Sequence, residues 1–303
     1  MKMMRKKKMN KFKLLLQSIA IIGLLFVAFS VSEAAKVKYK EVEVKNGSTI
    51  KGKVTWMGTI PKLPPITVFK HMDKCGQEAI NPALIINPSN RGVKFTAVYL
   101  EKIKEGKSIN QKKLKVGSKG VLHVGQDIKQ QADSQLCNFQ EHVFAFVRTK
   151  KVGMYNMENL LHNPHAFGKN GATIFNIPLP DRNRMSKKKV KRVKGINRYQ
   201  CDTHVHMNGY MLGLPHPYFS VTDKNGNYEI ANVPNGKYNL ITWHEGYNIT
   251  EFASDKRPVY DAPHIIKTAI EVKDGQVLDL NFQMPVRDVK VNQKKMSRQV
   301  SGH

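Results

Sequence analysis

Apolar and polar residues alternate through most of the chain, between clear turn signals. GSTIKGKVTWMG (47–58), RGVKFTAVYL (91–100), GNYEIANV (226–233), KYNLITW (237–243) and QVLDLNFQM (276–284) keep a period of two, which sets every second side chain on one face of a strand. Asn-Gly pairs at 46, 225 and 235 and the proline-rich PKLPP at 61–65 supply turns. Beyond residue 34 no long stretch holds a helical period, so the expected fold is all-β, made of antiparallel β-sandwiches. Segment 102–135 is polar, rich in Lys and Gln and without apolar periodicity, and reads as a long surface loop or linker.

The N-terminus follows another pattern. Lys2, Arg5, Lys6, Lys7, Lys8, Lys11 and Lys13 precede the apolar run LLLQSIAIIGLLFVAFSV (14–31), and Ser32 and Ala34 are the small residues of a cleavage point. Residues 1–34 therefore read as a signal peptide and the mature protein as periplasmic or otherwise exported. Left uncleaved, the same run borders on the length of a bilayer span and would anchor the chain in a membrane.

Losing seven basic and one acidic side chain takes the formal charge of the 303-residue chain from +27 to +21. A field of that sign draws acidic proteins and anionic lipid, while export sets nucleic acid aside. Lys187, Lys188, Lys189, Lys191, Arg192 and Lys194 concentrate it in SKKKVKRVKG (186–195). That run reads either as a solvated face or as a docking patch for an acidic redox protein such as a c-type cytochrome. The basic tail 287–303 is expected to be disordered.

Three cysteines in an oxidising compartment leave one outside any pair. Cys75 and Cys137, the latter opening a strand in CNFQEHVFAFV, lie far from any metal-like spacing and make the natural disulfide; otherwise Cys137 is a small buried hydrophobe. Cys201 is the one surrounded by donors. RYQCDTHVHMNGY (198–210) holds Cys201, His204 and Met207 at C-x2-H-x2-M, a spacing that lets one tight loop after a strand turn all three inward. A thiolate kept in such a compartment is protected by a metal, which also lowers its pKa. A fourth donor, His162, is available in LLHNPHAF (160–167). One thiolate, two imidazoles and a thioether form a copper set with three strong donors and a weak axial sulfur. Closed structural zinc sites gain little from a thioether, and a centre that has lost its metal is the plain alternative.

HNPHAF followed by CDTHVHM resembles the cupredoxin (type 1 blue copper) family, and the C-x2-H-x2-M loop is similar to that of amicyanin. The resemblance covers residues 118–216. It implies one type 1 copper on His162, Cys201, His204 and Met207, with Asn163 steadying the ligand segments by hydrogen bonding. Val205-His206 departs from the Pro-Phe of amicyanin-like loops, so His206 with Met211 stays open as a second ligand choice. His165 and His206 otherwise read as surface imidazoles.

HPYFSVTDKNGNYEIANVPNGKYNLITWHE (216–245) resembles the carboxypeptidase regulatory-like, transthyretin-type β-sandwich. The expected organisation is a signal (1–34), an N-terminal β segment (36–105) able to pair with the C-terminal sandwich, a cupredoxin-like copper domain (106–216), a regulatory-like sandwich (217–286) and the tail. Trp243 is expected in the core; His142 and His216 could approach the copper. No catalytic set is visible, so the expected function is single-electron carriage without chemistry of its own and not enzymatic. The alternative is a non-redox copper-binding, chaperone or interaction protein built from β-sandwich modules.

Overall fold

The computed structural model describes residues 38–110, 121–125, 136–148 and 151–284. The expected signal peptide and basic tail lie outside them. No helix among the described residues is long and apolar enough to cross a membrane. Apart from one helical turn, Met72–Cys75, the described elements are strands.

Four sheets carry the fold. The first has five strands in the order Thr173–Asn176, Pro164–Phe167, Gly195–Cys201, Asn208–Leu214, Val143–Val147, the last pair parallel and the others antiparallel. A second, three-stranded sheet has the order Met185–Lys189, Lys151–Asn156, Val121–Val124. Between them lies one core that contains Leu122, Phe144, Phe146, Met154, Leu179, Tyr199 and all three cysteines.

The other two sheets make the second sandwich. Phe219–Val221, Ala97–Glu101, Gly236–His244 and His264–Val272 form one; Asn227–Val233 and Ser48–Trp56 form the other, closed by Val277–Asp279 and Phe282–Met284 along Ser48–Trp56. Strands from residues 48–101 thus pair with strands from 219–284, whereas Ile66, Val68, Cys75 and Ala79 pack into the first sandwich. Asp223-Lys-Asn-Gly226 makes the sharp turn its sequence announced, with Gly226 at φ 77° and Asp223 Oδ1 accepting the N–H groups of Asn225 and Asn227.

Period-two alternation explains why the sandwiches meet. Phe144 and Phe146 point into the first core, and Val143, Ala145 and Val147 point the other way, onto Ala97, Phe219 and Trp243 of the second sandwich. Val143–Val147 is therefore buried on both faces, which is why it reads as a continuous apolar run. His142 and Glu245 add a buried hydrogen bond across the same contact.

Two sequence readings need correction. Part of the expected linker is structure: Val121–Val124 is a strand with Leu122 and Val124 fully buried, and four residues are too few to show periodicity. Cys137 does not open a strand. It sits at φ 56° in a turn ahead of Val143, where its backbone N–H reaches Glu158 Oε1 at 2.9 Å.

Trp243 is 5% exposed and central to the contact between sandwiches. Trp243→Ala should lower stability by about 3–5 kcal/mol in urea unfolding, the range for deleting a large buried ring.

Candidate metal centre

The loop 201–207 joins two antiparallel strands whose register places Gln200 opposite Asn208, so the intervening residues must turn at the sheet end. Cys201 N–H donates to the Met207 carbonyl and Met207 N–H to the His204 carbonyl, both at 3.0 Å. Cys201, His204 and Met207 are all essentially buried. His162 arrives from the neighbouring strand: Pro164 pairs with Cys201, and His162 forms a bridge with Leu179 just before it.

These segments bring the ligand atoms of His162, Cys201 and His204 within 4.8 Å of one another, all buried. His204 Nδ1 faces Cys201 Sγ at 3.7 Å. His162 is fixed from behind, its Nε2 at 2.8 Å from Glu158 Oε2, while its Nδ1 is buried with no hydrogen-bond partner. A carboxylate on one imidazole nitrogen, with the other left for a ligand, is how a ligating histidine is commonly held. The Asn163 backbone N–H donates to Cys201 Sγ at 3.3 Å, and its carbonyl accepts the Asp202 N–H at 3.1 Å. Asn163 therefore ties the two segments through its main chain.

The protonation states suit a metal. Burial would raise the Cys201 thiol, but the hydrogen bond and charge of His162 bring it below its ordinary value. Burial would lower His162, yet Cys201 and Glu158 outweigh it and raise the imidazole to about 9. Cys201 and His162 thus each favour the charged form of the other. His204 is pushed down to about 3, chiefly by burial and then by the neighbouring His162, His206 and His71, so it is neutral and can donate a lone pair. A sulfur donor and two buried imidazoles fit a copper or zinc ion; a thioether such as that of Met207, which is buried in the same core, would favour copper.

Of the alternative ligands, His206 is not among the three clustered residues, though its ring centroid is 5.7 Å from that of His204. His206 is not a surface imidazole: it is 4% exposed, and its Nε2–H donates to the Cys137 carbonyl at 2.9 Å. Met211 pairs with Asn197, four residues along the strand from Cys201 and so roughly 13 Å away. His165 is partly buried against Asp202 and Thr173. His142 binds Glu245 and the Asn208 carbonyl, and His216 packs with Tyr39 and Tyr218; neither joins the metal cluster.

Cys75 and Cys137 are bridged, and their sulfurs lie within 4.8 Å of a His204 nitrogen. The bridge closes 62 residues of chain, worth about 4 kcal/mol by the loop-entropy relation. It pins Met72–Cys75 over the loop, and His71 Nδ1 meets His204 Nε2 at 3.0 Å. The basic run is exposed, with Lys187–Lys189 on the edge strand. Its last residue, Lys194, precedes Gly195, and the strand Gly195–Cys201 separates that end of the run from the centre by roughly 20 Å.

Sequence reasoning missed three residues. Arg257 is the most consequential: 2% exposed, it enters from a hairpin of the second sandwich. It donates to the carbonyls of Cys201 (2.6 Å), Val205 (2.9 Å) and Met207 (3.3 Å), and to Asp255 Oδ2 at 2.8 Å. Nothing in DKRP announces it. Glu158 had a faint signal, a carboxylate four residues before His162; His71 had none beyond the nearby Cys75.

No protein-family model and none of the curated proteins matches the chain. Among solved structures, a novel purple cupredoxin from Nitrosopumilus maritimus is similar at 16% identity and a TM-score of 0.26, over 31% of this chain and 99% of that one. A pseudoazurin from Sinorhizobium meliltoi is similar at 15% identity and a TM-score of 0.22, over 31% of this chain and 72% of that one. The case for a metal rests on the donor geometry above and not on these scores.

Two outcomes are expected. Because a metal displaces protons from the thiol and imidazoles it binds, loading the metal-free protein at neutral pH should release protons in weakly buffered solution, and Cys201→Ser should release fewer or none. Arg257→Met keeps the volume but leaves loop carbonyls without donors, so it should destabilise the metal-free protein by about 3 kcal/mol and speed amide exchange at Cys201 and Met207. Arg257→Lys should recover only part, since one ammonium cannot reproduce the fork.

Proposed function

We propose that this chain is an exported copper protein of the cupredoxin kind that carries single electrons, with one type 1 copper held by His162, Cys201, His204 and Met207. The observation that carries the reading is the buried Cys201 sulfur, its thiol lowered below the ordinary value, within 4.8 Å of two buried imidazoles. Bound there, copper would supply a one-electron couple and thiolate-to-metal charge transfer in the visible.

The chain's part is to keep the donors still. Glu158 fixes the His162 ring, Asn163 donates to the sulfur, and Arg257 clamps the loop carbonyls. A frame held from three sides need not rearrange when the charge at its centre changes by one. In this reading the protein is not an enzyme: burial of all four donors leaves no approach for a substrate. The C-terminal sandwich acts as a regulatory-like structural module that braces the loop, and the partner is an acidic redox protein such as a c-type cytochrome.

The visible spectrum tests this directly. Cu(II)-loaded mature protein should absorb strongly, and Cys201→Ser should abolish the band while the fold is kept. A colourless Cu(II) complex, or a band that survives the substitution, would sink the assignment.

A further inference from the structure

Every donor of the proposed centre is closed off from solvent. His162 spends its second nitrogen on Glu158, and Cys201 and Met207 are 0% and 2% exposed. His204 is only 1% exposed, yet its second nitrogen leads outward. His204 Nε2 lies 3.0 Å from His71 Nδ1, the ring centroids are 5.1 Å apart, and His71 is exposed. The path from Cys201 Sγ to His204 Nδ1, across that ring to His71 and out to solvent, is short and continuous.

Building on the electron-carrier reading, we propose that His71 is the electron port. The partner docks on the strap 69–75, and the electron passes between the metal and the partner through the His204 and His71 rings. One electron leaves Cu(I), which becomes Cu(II), and a ferric haem on the partner becomes ferrous. No bond forms or breaks, and the proton between the two rings stays where it is.

The strap is built to hold this ring in place. His71 sits at φ 54°, a left-handed conformation that is unfavourable for a non-glycine residue. Its carbonyl accepts the N–H groups of Lys74 and Cys75 at 2.9 and 2.8 Å, and Cys75 is bridged to Cys137. Beside the port Met72 is 53% exposed. Around it stand the exposed Lys70, Lys74 and Lys256, with Lys256 over the Phe69 ring at 4.5 Å and Asp73 paired to Lys74. An apolar centre with a mostly basic rim fits a small, weak, fast interface with an acidic protein. The run at 187–194, its near end roughly 20 Å off along the strand, steers the encounter without forming the contact.

Stopped-flow oxidation of the reduced, copper-loaded mature protein tests the port, with ferricyanide and an acidic ferric c-type cytochrome as oxidants. His71→Leu should keep the visible band and slow both reactions by roughly tenfold or more, the effect of losing a central contact; His71→Gln, which can still bond His204, should restore part of the rate. Met72→Glu should slow the cytochrome reaction. Reversing Lys187, Lys188 and Lys189 to Glu should lower the salt dependence of both reactions, since both oxidants are anionic. In the metal-free protein, diethyl pyrocarbonate should modify His71 and spare His204, and reach His204 in His71→Ala. An unchanged or faster rate in His71→Leu, a lost band in that variant, or modification of His204 in the wild type would each overturn the port. The carrier reading is judged apart from this, by the band of the wild-type protein; the modification experiment needs no copper.

Discussion

Cys201 has no solvent exposure, and a sulfur anion taken out of water costs several kcal/mol unless cations or N–H donors stand around it. Its surroundings are arranged to meet that requirement. His162 supplies a positive ring held by Glu158, Asn163 an N–H, and Arg257 a buried guanidinium on the cysteine's own carbonyl. Three of these groups come from outside the loop, so the loop cannot be understood as an independent motif. A metal ion at the same place would stabilise the thiolate directly, and the same groups that surround the sulfur would then hold the ligands in place.

That dependence reaches into the second sandwich. Arg257 lies between the hairpin strands Ile249–Phe252 and Pro258–Tyr260, and Glu245 ends the strand that carries Trp243. The carbonyls that Arg257 binds, those of Cys201, Val205 and Met207, are spread around one loop, and a planar fork suits them better than any single-point donor. The apolar contact of Val143, Ala145 and Val147 with Trp243 sets the distance; the His142–Glu245 pair and Arg257 set the register. Hydrophobic contact alone is not directional, so the polar links are what fix the loop's orientation.

Sequence patterning showed the strands and the ligand spacing because both are local. C-x2-H-x2-M is a property of one turn, and alternation in KYNLITW is a property of one strand. Arg257, Glu245 and His71 were illegible because their roles depend on chain separations of dozens of residues: Arg257 meets Cys201 across 56 positions and His71 meets His204 across 133. His206 was misread for a related reason. A histidine in a turn reads as exposed unless the segment that covers it is known, and here the Cys75–Cys137 bridge brings that segment from far away. Val121–Val124 escaped because a strand of four residues, parallel to its partner, carries too little pattern to stand out from polar flanks.

Closing the centre creates a conflict that the strap resolves. Excluding water from His204 lowers the local dielectric and strengthens each interaction that holds the thiolate, yet the same exclusion puts a layer of protein between the metal and any partner. An aliphatic cover would give the first effect and block electron flow. A second imidazole, bonded to the first and held by a bridged helical turn, gives the exclusion and still presents a conjugated ring to solvent. In the proposed electron port the disulfide would act through position: it holds a histidine of left-handed backbone against His204, where an aliphatic cover would insulate.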